Sequence, residues 1–220
     1  MARSPAILAA RPARPVEGRQ ELKARATREA LCRATIVCLD RYGYSEASIG
    51  RITQEAGVSR GALTHHYKSK EDLIVDTVDQ MLHTRLEQPL PGDRKDAELP
   101  SEEVIRNDLL WVWKGLDTRN GRALVEVLLA SRTDSALQDR ISAKLQTWNG
   151  VISTFILKSY EAKSGRDEDV LILWDICRVF FRGLLIQKSF VRDREELLRL
   201  AESFVQLVAS GFRPRQNPPQ

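Results

Sequence analysis

The sequence predicts an all-α protein. Three observations carry this expectation: apolar residues recur at helical spacing in about nine successive segments, capping and stop residues fall between those segments, and no stretch alternates apolar with polar residues. No internal repeat of fixed period is present either. The chain has 220 residues, 42% of them hydrophobic and 29% charged, which is the composition of a folded globular protein. That length suits one large domain or two small ones.

Residues 1–22 hold Pro5, Pro12 and Pro15 among Arg3, Arg11, Arg14 and Arg19, with few apolar groups, and read as a flexible basic arm. Such an arm serves either as a minor-groove contact or simply as a solubilising extension. From Thr27 onward, Leu31, Ala34, Cys38 and Tyr42 form the stripe of an amphipathic helix that Gly43 ends. Ser48 caps a second, short helix with Ile52 and Ala56 facing inward, and Gly57 permits a left-handed turn. Ser59 caps a third helix through Tyr67, and the pair Ser69 and Asp72 opens a longer one carrying Leu73, Val78 and Met81. Pro89, Pro91, Gly92 and Pro100 then bracket a charged loop. Beyond it, residues 101–116, 119–131, 134–163, 167–188 and 194–211 each read as helix, with 212–220 as a flexible tail.

Several function classes fall away at once. No run approaches the roughly 18 uninterrupted apolar residues of a membrane span, and the apolar start is too short for a signal-peptide core and is interrupted by Arg11, so a cytoplasmic protein is expected. Cys32, Cys38 and Cys177 are odd in number and lack C-x-x-C spacing, which argues against a disulfide framework and against zinc. No metal and no cofactor are expected. The charge is unevenly spread: residues 1–70 hold thirteen Lys and Arg against six Asp and Glu, a net of +7, whereas the remainder carries −3. Concentrated basic charge points to nucleic acid as partner, although solvated surface charge gives a milder version of the same pattern.

Residues 48–67 have the layout of a helix-turn-helix. A short helix packs through Ile52 and Ala56, Gly57 turns the chain, and Val58 with Leu63 fills the angle between the helices. The outer face of the second helix then offers Ser59, Arg60, Thr64, His65 and Lys68, all able to hydrogen-bond to bases or phosphates. His65 and His66 point about 100° apart on a helix and have no neighbouring carboxylate, so a shared metal is disfavoured.

On these residues the sequence resembles the tetracycline-repressor (TetR) family of bacterial transcriptional regulators. The likeness runs through Thr27, Arg28, Leu31, Ala34, Gly43, Tyr44, Ile52, the run Ala56 to Ser59, Gly61, Leu63, His66, Tyr67 and the run Ser69 to Leu73. Departures are Leu39 for Phe, Thr53 for Ala, Arg51 where an acid is frequent, and Thr64 where Tyr is frequent, the last removing one phosphate contact. The resemblance implies that Ser48 and Lys70 hold phosphates from helix ends, that His65 and His66 reach the DNA backbone, and that Arg60, Gly61 and Ala62 approach the bases. It places Tyr67 in the core. A lysine in the first turn opposes the positive end of the helix dipole, and a phosphate beside Lys70 would offset that.

The expected organisation is an N-terminal three-helix helix-turn-helix DNA-binding domain over residues 23–70 and a C-terminal helical ligand-binding and dimerisation domain over 71–211. Helices 167–188 and 194–211 each carry two apolar stripes, so one stripe is expected to face a second copy, with Phe181, Leu185, Leu197, Leu200 and Phe204 as interface residues. The alternative is an internal helix of a single bundle. Trp111, Trp148, Phe155 and Trp174, with Asn107, Glu126 and Arg178 among them, make a candidate pocket for a hydrophobic or aromatic small molecule, against the plainer reading of an aromatic core. The function expected is a homodimeric repressor released from a palindromic operator in double-stranded DNA by that ligand. A constitutive DNA-binding regulator is the alternative, and a small all-α enzyme is disfavoured because no nucleophile-base motif, phosphate loop or metal spacing occurs.

Overall fold

The structure, a computed structural model, describes residues 18–86, 101–191 and 193–215. Among them nine helices follow in order: α1 (Arg19–Glu46), α2 (Ile49–Ala56), α3 (Arg60–His66), α4 (Lys70–Leu86), α5 (Ser101–Leu116), α6 (Arg119–Ser131), α7 (Ser135–Ser159), α8 (Asp167–Gln187) and α9 (Arg194–Ala209). The protein is all-α.

Three boundaries differ from expectation. Helix α1 begins at Arg19, so residues 19–22 leave the basic arm for the first helical turn; Glu21 accepts the Gly18 N–H at 3.0 Å and holds that end. Residues 1–17 lie outside the described part. Gly43, at φ 75°, breaks α1 as foreseen, but a last turn continues to Glu46. The third difference is a pair of short strands, β1 (Tyr160–Ala162) and β2 (Phe212–Pro214), antiparallel with Ala162 opposite Phe212. They end α7 before residue 163 and take residues 212–214 out of the expected tail. Tyr160 and Phe212 are buried, and their rings meet edge-on at 6.2 Å, which explains why so short a pair is held.

Two hydrophobic cores lie along the molecule. The first contains Leu31, Leu39, Ile52, Leu63 and Ile74 of α1–α4 and continues through Ala123, Val127, Leu137 and Ile141 of α6 and α7. A division at residues 70 and 71 is therefore a division of the chain and not of the packing. The second core joins α5, the later turns of α7, α8 and α9 through Ile105, Trp113, Ile156, Phe181 and Val205. Cys32, Cys38 and Cys177 are buried, and burial pushes each thiol up, Cys177 to about 12, so all three are unreactive at neutral pH.

Ionic contacts tie the N-terminal helices to the rest. Arg122 of α6 grips Asp40 of α1 with both Nε (2.6 Å) and Nη2 (3.0 Å). The same guanidinium reaches Asp117 at 3.2 Å, and Asp117 also accepts from Lys188 at the end of α8 at 2.6 Å. Farther along, Arg140 and Lys144 of α7 meet Asp72 and Asp79 of α4, both at 2.8 Å. The Arg122 hydrogen bonds hold the Asp40 carboxyl below the usual carboxylate range. A carboxylate with a depressed folded-state pKa stabilises the fold above its unfolded pKa, and this contribution disappears as pH falls through the folded value. Asp40→Asn should therefore be less stable than wild type at pH 7, and the gap should close on acidification. Urea titrations across that range read it, and a gap independent of pH would remove the ion pair from the account.

Candidate functional site

The segment from α2 to α4 is built by local capping. Ser48 accepts the Arg51 N–H at 3.3 Å, and Ser59 accepts the Ala62 N–H at 3.1 Å. Ser69 and Asp72 cap each other's backbone N–H, both at 3.1 Å. Each such cap contributes about 1 kcal/mol. Between α2 and α3, Gly57 sits at φ 65° and its N–H reaches Gln54 O at 3.2 Å, while Val58 N–H reaches Thr53 O at 3.1 Å. Thr53 is tolerated in this buried place because its hydroxyl lies 3.0 Å from the carbonyls of Ile49 and Gly50. Tyr67 is a core residue whose hydroxyl donates to Asp76 at 2.5 Å.

Helix α3 turns its polar face outward. Ser59, Arg60, Gly61, Thr64, His65 and Lys68 are exposed, as is Ser48 on α2, and Ala62 and His66 are partly so. Among the described residues neither Arg60 nor Lys68 has an ionic partner, so both charges are available to an outside anion. The Thr64 hydroxyl is bonded within its own helix, to Gly61 O at 3.1 Å. Burial, with the His65 ring at 5.3 Å, lowers the pKa of His66 and keeps it neutral at pH 7. Lys70 is engaged inside the protein: its ammonium donates to Tyr44 O at 2.6 Å and lies 4.2 Å from the centre of the Tyr44 ring. The first-turn lysine thus has an internal partner against the helix dipole, and two of its three donors remain for a phosphate.

A second site opens where α4, α5, α6, α7 and α8 meet. A cavity of about 130 Å³ lies there, with Trp111, Trp148, Phe155, Trp174 and Arg178 on its wall. Asn107 and Glu126 are not on it. Asn107 lies a turn short of the part of α5 that borders the cavity, residues 111–116. Glu126 faces α1 instead, where its Oε2 comes within 3.2 Å of the place a Cβ on Gly43 would take. The structure adds Arg85 of α4 and Arg182 of α8. Arg182 was detectable, because it follows Trp174 and Arg178 at i+4 intervals on one face of α8. Arg85, 3.7 Å above the Trp111 ring, reads in sequence as an ordinary last-turn basic residue. Burial draws its pKa down to about 10. Among the described residues no three His, Cys, Asp or Glu side chains gather as a metal site would need, and no helix is long and apolar enough to cross a membrane.

The profile of bacterial regulatory proteins of the tetR family matches residues 31–77, the stretch that carries the helix-turn-helix. An HTH-type transcriptional regulator of Mycobacterium tuberculosis is 28% identical over 75% of this chain and 84% of its own length. The HTH-type transcriptional repressor AcnR of Corynebacterium diphtheriae is 27% identical over 90% and 98%. Residues 31–77 thus carry a helix-turn-helix of the tetR type. The whole fold is shared as well: a transcriptional regulator from Rhodococcus superposes with a TM-score of 0.60 at 15% identity, covering 82% of this chain and 95% of that one. A regulator from Saccharomonospora viridis, solved in complex with choline, gives 0.58 at 16% identity over 83% and 96%. With this domain and these relatives, the chain is a transcriptional regulator and not an enzyme.

On the surface of the chain, α8 and α9 leave an apolar face uncovered among the described residues, but it is not the face expected. Phe181, Leu185 and Leu197 are buried within the protomer, Phe181 completely, and so cannot meet a second copy. Phe204 is half-buried and stacks on Phe180 at 3.8 Å, whereas Leu200 is exposed. The open stripe on α8 is Ile172, Ile176, Val179 and Ile186, continued by Phe190 beyond its end, with α9 adding Leu200 and Leu207. Steps of four and three residues relate the α8 positions once Gly183 is included. Gly183 has open space where a Cβ would stand, which leaves room for another helix to come close.

Proposed function

We propose that the protein is a homodimeric repressor that leaves a palindromic operator when a small hydrophobic or aromatic molecule fills the cavity between α4 and α8. One observation carries the reading: Met81, Leu82 and Arg85 of α4 form one wall of the cavity, and α4 follows directly on the recognition helix α3. A ligand that presses on this wall acts on the helix that sets the direction of α3. The ring-rich lining supports a hydrophobic occupant, and the choline complex of the Saccharomonospora neighbour supports a ligand site in a protein of this fold. The repressor name of the Corynebacterium relative supports the sign of regulation. A second copy on the open α8 and α9 stripe would supply the partner half-site reader, the two recognition helices standing about 34–36 Å apart or a multiple of it. Such a regulator works in the cytoplasm, where its DNA is.

DNA selected from a random duplex pool provides the operator for the test. Binding should fall steeply with salt, because several phosphate contacts release counterions. Arg60→Ala should lose about 1–3 kcal/mol and relax base preference. Lys68→Ala should weaken all sequences alike and flatten the salt dependence. If Arg60→Ala discriminates between operator and random DNA as well as wild type does, Arg60 does not read bases.

A further inference from the structure

The polar part of the cavity wall is unbalanced. Arg178, Arg182, Trp148 and Trp174 all line it, and no Asp or Glu does. Nε of Arg178, Nε of Arg182 and the indole Nε1 of Trp148 and of Trp174 are each buried without an acceptor among the described residues. A buried donor left unsatisfied is costly, so natural cores hold few of them. Four around one cavity describe a missing acceptor.

The two α8 arginines differ. Arg178 is compensated: it donates to Asp175 at 2.7 Å and to the Asn149 side-chain oxygen at 2.5 Å. Arg182 has no hydrogen bond or ion pair among the described residues. Burial and then the charge of Arg178 draw its pKa down to about 10, so it stays protonated at pH 7. Partly buried, beside the like charge of Arg178 and drawn only by Asp175, whose carboxylate Arg178 already holds, it is a cation in want of an anion.

On the reading that this cavity is the effector site, we infer that the effector is an organic carboxylate, bound through Arg182 with Arg178 and the Trp148 and Trp174 side chains around it. An ionised carboxylate is acceptor-only, and a guanidinium can hold it through two parallel hydrogen bonds. A neutral alcohol would leave the Arg182 charge unpaired, and an ammonium ion would meet only like charge. The rest of the wall, with Trp111, Phe155 and Ile152, suits an apolar body. At about 130 Å³ the space is near that of a cavity of roughly 150 Å³ that accepts benzene, so the body is about the size of one ring.

The test uses the full chain and four probes of matched size: benzoate, phenylacetate, benzyl alcohol and benzylamine, titrated at constant pH and ionic strength by calorimetry and tryptophan fluorescence. Both acids should bind at least about tenfold more tightly than the alcohol, as expected for a charge-assisted pair, and benzylamine should not bind. Arg182→Gln, with its fold checked by circular dichroism, should remove the acids' advantage and leave the alcohol unchanged. If alcohol and acid bind alike, or if the acids are indifferent to Arg182→Gln, the carboxylate inference is overturned while the cavity remains a site for neutral ligands. If none of the four binds, the effector-site reading itself fails, and the inference with it.

Discussion

Val179→Asp and Leu207→Asp are each expected to turn a dimer into a folded monomer that has lost its operator. Both side chains are largely open in the single chain, 67% and 79% exposed, so the new carboxylate meets water in the monomer and should leave its thermal unfolding nearly unchanged. Across a contact with a second copy, the same carboxylate would be buried against an apolar stripe without a partner. A protein holding two half-sites gains about 10²–10⁴ in affinity from bivalency, and the monomer should forfeit that factor. Sedimentation and DNA titration read the two effects separately. Phe181→Asp is the contrasting variant, since it places the charge in the protomer core and should unfold the chain. Dimers of Val179→Asp that bind operator normally would show that the assembly uses another surface.

Gly121→Ala is expected to be the most damaging addition of a methyl group at any glycine of the described residues. The link between α5 and α6 spans only Asp117 and Thr118, and it brings Gly121 against the end of α5. A Cβ there would lie 2.0 Å from Leu116 O and 2.7 Å from its carbonyl carbon. Both are backbone atoms, so no side chain can swing aside and the turn itself must open. That turn also positions Thr118, which caps α6 through the Gly121 N–H at 3.2 Å, and Arg122, which holds Asp40. A loss of about 3 kcal/mol or more is expected, at the upper end for overpacking. Gly150→Ala in the middle of α7 is the control: nothing lies within 4 Å of its added Cβ, and a gain of roughly 0.4–1 kcal/mol should follow. Urea unfolding of the pair decides it, and equal stabilities would mean the α5 to α6 link yields more readily than its geometry implies.

What could be read from sequence follows the range of the interactions concerned. The caps at Ser48, Ser59 and Ser69 act over three residues, so the limits of α2, α3 and α4 were visible in the chain. Helices α5 and α6 were legible for a similar reason, being bounded by Pro100, Asp117 and Thr118. The limits of α8 were legible too, but its buried face was not, because apolar residues occur on nearly all of its faces. Spacing alone could not tell that Phe181 points to Trp113 while Val179 points to solvent. The strand pair was hidden because each member has three residues and depends on a partner some fifty positions away. For the cavity, the rings were evident from composition, but the choice among polar residues needed helix rotation. Glu126 and Arg178 look alike in sequence as charges within apolar helices, and only packing sends one to α1 and the other to the cavity.

The chain of ion pairs from Asp40 through Arg122 and Asp117 to Lys188 has a consequence for how the molecule behaves as a machine in salt. Its two carboxylates are only 16% exposed, so counterions at physiological strength screen them poorly, whereas the DNA contacts proposed for the exposed cations Arg60 and Lys68 would be screened far more strongly. On the proposed function, rising ionic strength would therefore loosen the grip on DNA long before it loosens the joint between α1 and the bundle. The joint remains stiff while the grip weakens. A cell under osmotic load would thus lower occupancy of the operator without blunting the mechanical response to ligand, and the two controls would multiply rather than interfere.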